Sequence, residues 1–269
     1  MSYLFLIFIF LFGLCIGSFL NCAIYRLEQK KNLKGRSFCP NCKHQLSWKD
    51  LVPVFSFLFL KGKCRYCQKK ISIQYPLVEI STGIVFLLVA NYNAKCFARV
   101  LGNSDCIMTT ASIFSLAFLF YIASVLIAIF VYDLKHYIIP DKILLPAIVV
   151  AFFYGLFDPK FTILNLLGAT IISSGFFLFI FLISKGRWMG FGDVKLAVLM
   201  GFLLGFPNVL VALFLAFFFG AVIGAILMFF GKKGLKSEIP FGPFLITGTF
   251  VALFWGQNII NWYLTSFNI

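Results

Sequence analysis

Two aspartates and four cysteines hold the chemistry of this sequence. Asp133 stands in Val131-Tyr-Asp-Leu-Lys-His-Tyr-Ile-Ile-Pro-Asp141, and Asp193 in Gly190-Phe-Gly-Asp193-Val-Lys195. Both adjoin long apolar runs in a chain with only nine acidic residues. A carboxylate at membrane depth is costly to desolvate, and where one occurs it usually marks function. Two carboxyls at one depth can share a proton. The ionised member then takes a proton from water, and the protonated member donates to a carbonyl oxygen or a leaving amine. This is the paired-carboxylate chemistry of peptide hydrolysis. Gly190 and Gly192 let the backbone beside Asp193 approach a partner closely. A helix N-cap is the plainer reading of any such Asp. Asp141, directly after Pro140, fits a cap or turn better than a reacting group. Glu79 is open between a buried pair with a loop cation and a part in the chemistry. His136 either tunes Asp133 or is an interfacial residue.

The cysteines occur as Cys39-Pro-Asn-Cys42 and Cys64-Arg-Tyr-Cys67, with 21 residues between the two C-x2-C knuckles. That spacing presents four thiolates to one tetrahedral zinc. Four sulfurs close the coordination sphere, so such a metal is structural. The competing reading is a set of free or redox-active thiols. His44 is either a replacement ligand or a solvated loop residue. Between the knuckles, Leu51–Leu60 is too short to span a bilayer and too apolar for a free loop, which leaves the membrane interface or a place under the ribbon. Cys96 and Cys106 fall in one predicted outer loop, where a disulfide is an open question. Cys15 and Cys22 fit as small packing residues of the first span.

The elements that position these residues follow from composition. Of 269 residues, 61% are apolar and 12% charged, against about 25% charged in a soluble domain. The excess hydrocarbon excludes an ordinary cytosolic enzyme, a disulfide scaffold and a disordered chain. It predicts an all-α polytopic membrane protein. Apolar runs at Tyr3–Cys22, Tyr75–Asn91, Thr109–Tyr132, Ile138–Phe157, Phe161–Ser184, Val194–Phe206, Asn208–Phe230 and Phe241–Tyr263 predict about eight spans. The sixth is short enough to be tilted, re-entrant or merged with a neighbour. With the N-terminus outside, all but Lys95, Arg99 and Lys160 of the 23 Lys and Arg fall in inner loops. This asymmetry orients the chain. It also accounts for the net charge of +14 through lipid and topology, without nucleic acid. The predicted organisation is a first transmembrane helix (1–22), a small zinc-ribbon-like cytoplasmic loop domain (23–74) and a seven-helix membrane domain (75–269). Asp133 and Asp193 then lie at one membrane face.

Six blocks in order resemble the bifunctional type IV prepilin peptidases, also called leader peptidase and N-methyltransferase. They are Gly17-Ser-Phe-Leu-Asn21 with Tyr25-Arg26; the Cys39–Cys67 region with Leu51-Val-Pro53; Gln74-Tyr-Pro-Leu-Val-Glu79; Tyr132-Asp133 with Ile139-Pro-Asp141; Gly190-Phe-Gly-Asp193-Val-Lys195; and Pro240-Phe-Gly-Pro-Phe244. The fifth is the glycine–aspartate motif of the wider intramembrane aspartic protease group. The resemblance implies an enzyme of the bacterial inner membrane. It would remove the leader of prepilins and pseudopilins after a glycine, on the cytoplasmic side, and methylate the new N-terminal residue with S-adenosylmethionine. It implies Asp133 and Asp193 as the catalytic pair, and beside them Gly190, Gly192, Glu79 and Asp141 are the candidate supporting residues that the sequence itself offers. It also implies a methyltransferase role for the loop that holds Cys39, Cys42, Cys64 and Cys67. The residues that bind the methyl donor are left unassigned, because no glycine-rich strand–turn–helix pattern occurs.

Two readings from other classes compete. A proton-coupled transporter would line a pathway with Asp133, Asp193 and Glu79 and predicts inverted repeats. A zinc-ribbon membrane scaffold predicts that both aspartates are dispensable.

Overall fold

The computed structural model describes residues 3–101, 110–158, 161–230 and 239–266. The described residues are helical, with short irregular connections and one longer loop. The helices are α1 (Tyr3–Glu28), α2 (Phe55–Phe59), α3 (Gln74–Leu101), α4 (Thr110–His136), α5 (Asp141–Phe157), α6 (Ile163–Ser184), α7 (Phe191–Leu204), α8 (Asn208–Phe229) and α9 (Gly242–Ser266). A 3-10 turn spans Trp48–Asp50. Among the described residues, six helices are long and apolar enough to cross a membrane. They are Tyr3–Glu28, Gln74–Ala94, Ser112–His136, Ile163–Ser184, Asn208–Phe229 and Gly242–Ser266.

The other two expected spans are helices too, but shorter: α5 has 17 residues and α7 has 14. At 1.5 Å per residue, α7 covers about 21 Å of a hydrocarbon core of about 30 Å. The apolar run that suggested a span from Ile138 begins its helix only at Asp141, because Pro140 holds an extended φ/ψ of −77°/115° at the N-cap. The short sixth run is a separate helix, not merged with its neighbour. Gly205 ends it at φ +62°, in the left-handed region that suits glycine. Cys96 and Cys106 lie outside the residues whose side chains are described.

The chain divides into two compact units, residues 1–128 and 129–269. In the first, α1 packs on α3 through glycine. A Cβ on Gly13 would stand 2.7 Å from the Gly83 Cα, and one on Gly17 would stand 2.7 Å from the Glu79 Cα. Small residues let two helices approach closely and gain dispersion energy where lipid supplies no hydrophobic drive. The Phe86 ring stacks on Phe120 at 4.2 Å, and Phe12 packs against both. At the end of α1, the buried Arg26 guanidinium donates to the carbonyls of Leu33, Gly35 and Arg36. A cation at a helix C-terminus is favourable, and here it also seats the start of the long loop.

In the second unit α7 is the central helix, packed against α5, α6, α8 and α9. Asp193, Val194, Leu196, Ala197, Leu199, Met200, Gly201, Leu203 and Leu204 are all buried. Its apolar character is therefore spent on protein neighbours, which is why a helix too short to span the bilayer still reads as a span. A Cβ on Gly201 would lie 2.4 Å from the Thr170 Cα, so α6 and α7 cross nearly backbone to backbone. The Ser173 hydroxyl donates across that crossing to the Ala197 carbonyl at 2.9 Å. The α8–α9 contact repeats the device: a Cβ on Gly248 would meet the Ala212 carbonyl at 2.4 Å.

Candidate active site and cysteine cluster

The cysteine cluster belongs to the first unit and is built from two copies of one turn. The Cys39 amide donates to the His44 carbonyl and the Lys43 amide to the Cys39 carbonyl, both at 2.9 Å. Twenty-five residues on, the Cys64 amide donates to the Lys69 carbonyl and the Gln68 amide to the Cys64 carbonyl, again at 2.9 Å. Each turn takes one residue through positive φ, Lys43 at 60° and Gln68 at 58°. Isolated antiparallel bridges, Phe38 with Gln45 and Lys63 with Lys70, close them. The result is four Sγ atoms, of Cys39, Cys42, Cys64 and Cys67, within 4.8 Å of one another.

Tetrahedral zinc with bonds of about 2.3 Å needs sulfurs roughly 3.8 Å apart. Cys39 Sγ and Cys67 Sγ are 3.9 Å apart, so the donor set fits such an ion. Burial pushes the Cys39 thiol up, but hydrogen bonds from the Cys42 and Asn41 backbone and from the Cys42 and Cys64 side chains bring it down to about 7. A readily formed thiolate is what a metal ligand requires. His44 is not part of the cluster; its ring packs on Tyr66 at 3.7 Å. The second knuckle is tied to the rest of the loop by Asp50, which accepts from Arg65 Nε and from the Ser47 hydroxyl, both at 2.8 Å.

Glu79, on α3, is also in this unit and is 6% exposed. Its carboxylate accepts the Val54 amide at 2.7 Å and the Ser18 hydroxyl. Its loop partner is thus a main-chain amide, where a loop Lys or Arg was one of the two expectations.

The second unit holds both aspartates. Asp133, near the end of α4, is 4% exposed, and Asp193, in the first turn of α7, is 8% exposed. Their carboxyls lie within coulombic reach of each other. Each accepts one backbone amide: Gly242 donates to Asp133 and Gly190 to Asp193. Three helix ends therefore meet at the pair, those of α4, α7 and α9.

The glycines differ in what they allow. A Cβ on Gly242 would stand 2.5 Å from Asp133 Oδ2 and one on Gly192 3.0 Å from the Ile139 Cβ, whereas one on Gly190 would find nothing nearer than Asp193 Oδ2 at 3.9 Å. Gly192 is thus the close-packing glycine of the motif. Gly242, from the Pro240–Phe244 block, was not singled out in the sequence. Its signal is a glycine beside two prolines at the start of a helix.

Asp141 is the first residue of α5, and no side-chain cap closes that helix. Its carboxylate instead holds Lys195 Nζ at 2.7 and 2.8 Å. The cap reading of Asp141 is therefore replaced by an ion pair: the extended Pro140 occupies the capping position, and the nearest cation comes from α7. The His136 ring packs on Tyr132 at 4.5 Å.

The fold and these sites define a multi-pass helical membrane protein with a paired-carboxylate centre and a four-cysteine metal-type cluster. Residues 11–92 match the Bacterial Peptidase A24 N-terminal domain, and residues 120–225 match the Type IV leader peptidase family. Proteins named prepilin leader peptidase/N-methyltransferase are similar over almost the whole chain. The one from Vibrio cholerae is 33% identical over 97% of this chain and 100% of its own length. Those from Aeromonas hydrophila and Bacillus subtilis are each 31% identical, over 96% and 95% of this chain and 93% and 96% of their own lengths. No solved structure matches the chain. The chain belongs to the type IV leader peptidase family.

Proposed function

We propose that this protein removes the leader of prepilins and pseudopilins after a glycine, with Asp133 and Asp193 as the catalytic pair, and then methylates the exposed N-terminal residue. Family membership supports the activity. The observation that carries the residue assignment is two buried carboxyls within coulombic reach in one unit, each steadied by a glycine amide.

The ionised carboxylate takes a proton from water as the oxygen attacks the scissile carbonyl carbon. The protonated carboxyl donates to the carbonyl oxygen. As the tetrahedral species collapses, the C–N bond breaks and the leaving amine takes a proton from the pair. Burial among helices removes competing water and strengthens each of these electrostatic interactions. Gly242 and Gly190 orient the two acceptors through their amides, and Gly192 lets α7 sit against Ile139.

Residues 23–74 form the methyltransferase-associated part, and residues 75–269 contain the peptidase, with the first transmembrane helix at 1–22. Cys39, Cys42, Cys64 and Cys67 would hold a structural zinc, which cross-links the two knuckles of the loop. S-adenosylmethionine is the methyl donor that the family's activity implies. The described residues contain no strand, so they offer no strand–turn–helix cradle for it. Charge asymmetry supports an inner-membrane orientation with the N-terminus outside and the four-cysteine loop cytoplasmic. The leader of the substrate lies on that same cytoplasmic side. Neither a transporter nor a scaffold accounts for the family match.

The test is co-expression with a prepilin carrying glycine at the cleavage position, with product mass as readout. Wild type and Asp141→Asn should yield the shortened product, and Asp133→Asn and Asp193→Asn should not. A product heavier by one methylene reports methylation. Cleavage by both Asn variants of the pair would remove the assignment.

A further inference from the structure

Residues 51–60, Leu-Val-Pro-Val-Phe-Ser-Phe-Leu-Phe-Leu, have no buried member. Their short helix leaves Phe55 49%, Leu58 62% and Phe59 84% exposed. A five-residue helix does not hold itself in water. This one is held from its N-terminal end. Val54 sits at φ 61°, an unfavourable conformation for a β-branched residue, and its amide donates to buried Glu79 at 2.7 Å. At the other end, Gly62 turns at φ +69° against the Phe57 ring.

The depth of that anchor is measurable along two helices. Glu79 is five residues beyond Gln74, where the candidate span of α3 begins, or about 7 Å along the axis. Ser18, which also bonds Glu79, lies eight residues before Arg26 on α1, or about 12 Å. Both place the Val54 amide inward from the ends of two helices that are long and apolar enough to cross a membrane. Exposed Lys49, Lys61 and Lys63 flank the segment. Apolar side chains at that depth with cations beside them match the interfacial zone of an anionic leaflet. Long Lys side chains reach back to headgroup phosphates.

We propose that residues 51–60 are a re-entrant, lipid-embedded segment, with Glu79 as its anchor and the bilayer as the occupant of its Phe55–Leu58–Phe59 face. It fastens the four-cysteine loop to the membrane surface at a fixed depth, through the backbone at Val54.

The test uses the full chain reconstituted in vesicles of phosphatidylethanolamine and phosphatidylglycerol, with or without bromine high on the acyl chains. Phe59→Trp adds one indole to the native Trp48, Trp188, Trp255 and Trp262, and the difference from wild type isolates it. The added emission should be lost in brominated vesicles and be insensitive to iodide in the aqueous phase. Leu58→Trp should behave alike if the first variant assembles poorly. Added emission that is quenched by iodide and untouched by bromine overturns the proposal. So does iodide access that disappears only when a prepilin is added, since the face would then be a substrate dock. With Glu79→Ala the indole should gain iodide access; unchanged bromine quenching would remove Glu79 as the anchor.

Discussion

The Asp141 carboxylate grips Lys195 Nζ with both oxygens, at 2.7 and 2.8 Å, and so ties the first turn of α5 to the first turns of α7. Lys195 stands two residues after Asp193, and its ammonium lies 5.2 Å from the Phe191 ring centroid. The pair is partly exposed, with Asp141 the more open side, so its worth is about 1 kcal/mol or less. Asp141→Asn and Lys195→Met should therefore slow leader cleavage by only a few-fold. The exchange Asp141→Lys with Lys195→Asp should recover most of the loss. Cleavage rates of the four proteins in one detergent decide it, and abolition by Asp141→Asn would make that residue part of the chemistry.

Gly242→Ala should eliminate cleavage while the protein still assembles. Its Cβ would stand 2.5 Å from Asp133 Oδ2, and the carboxyl or the start of α9 must move. Gly190→Ala meets only an ordinary contact at 3.9 Å, at φ −76°, and should keep cleavage near wild type. Gly192→Ala should fall between, with partial recovery by Ile139→Val, which trims the side chain its Cβ would touch. Equal activity of the Gly242 and Gly190 variants would contradict this order.

One zinc per chain should be found by metal analysis, and Cys39→Ser or Cys64→Ser should lose it. Structural zinc supplies about 10–16 kcal/mol to small folded sites. Removing a ligand should therefore expose residues 37–70 to protease, and α1 with α3 should remain protected. Full metal content in both variants would sink the cluster assignment.

Asp50 gives the loop an acid limit. Burial raises its carboxyl, but hydrogen bonds from Ser47 and Arg65 and the Arg65 charge hold it below its ordinary value. A depressed carboxyl stabilises the fold above its unfolded value, about 3.9, and that contribution disappears as pH falls through the folded value. Asp50→Ala takes the acceptor from the Ser47 amide and from the half-exposed Arg65, and should cost about 1 kcal/mol. Proteolysis of the loop at neutral pH should then proceed faster than in wild type.

Gly17→Leu should separate α1 from α3, since the new side chain begins 2.7 Å from the Glu79 Cα. Overpacking of this kind costs about 1–3 kcal/mol. The melting temperature in detergent should drop, whereas Gly168→Ala, which meets nothing within 4 Å, should leave it unchanged.

The sequence alone determined whatever depends on local pattern. Apolar runs of span length set six of the helices, since bilayer thickness imposes that length on any chain. The C-x2-C repeats set both knuckles, because the same spacing folds into the same turn at Cys39 and at Cys64. The glycine–aspartate motif and the Asp133 segment were legible as ordered blocks. Tertiary structure decided what depends on which backbone meets which. Only packing shows that α7 owes its apolar residues to four neighbouring helices, so that 14 residues suffice. Only packing brings Gly242, 109 residues along the chain, to donate to Asp133. It likewise turns Asp141 from a cap to Lys195, and Glu79 from a loop cation to the Val54 amide. A hydrogen-bond partner is set by distance in space, and no periodicity in the chain encodes that distance.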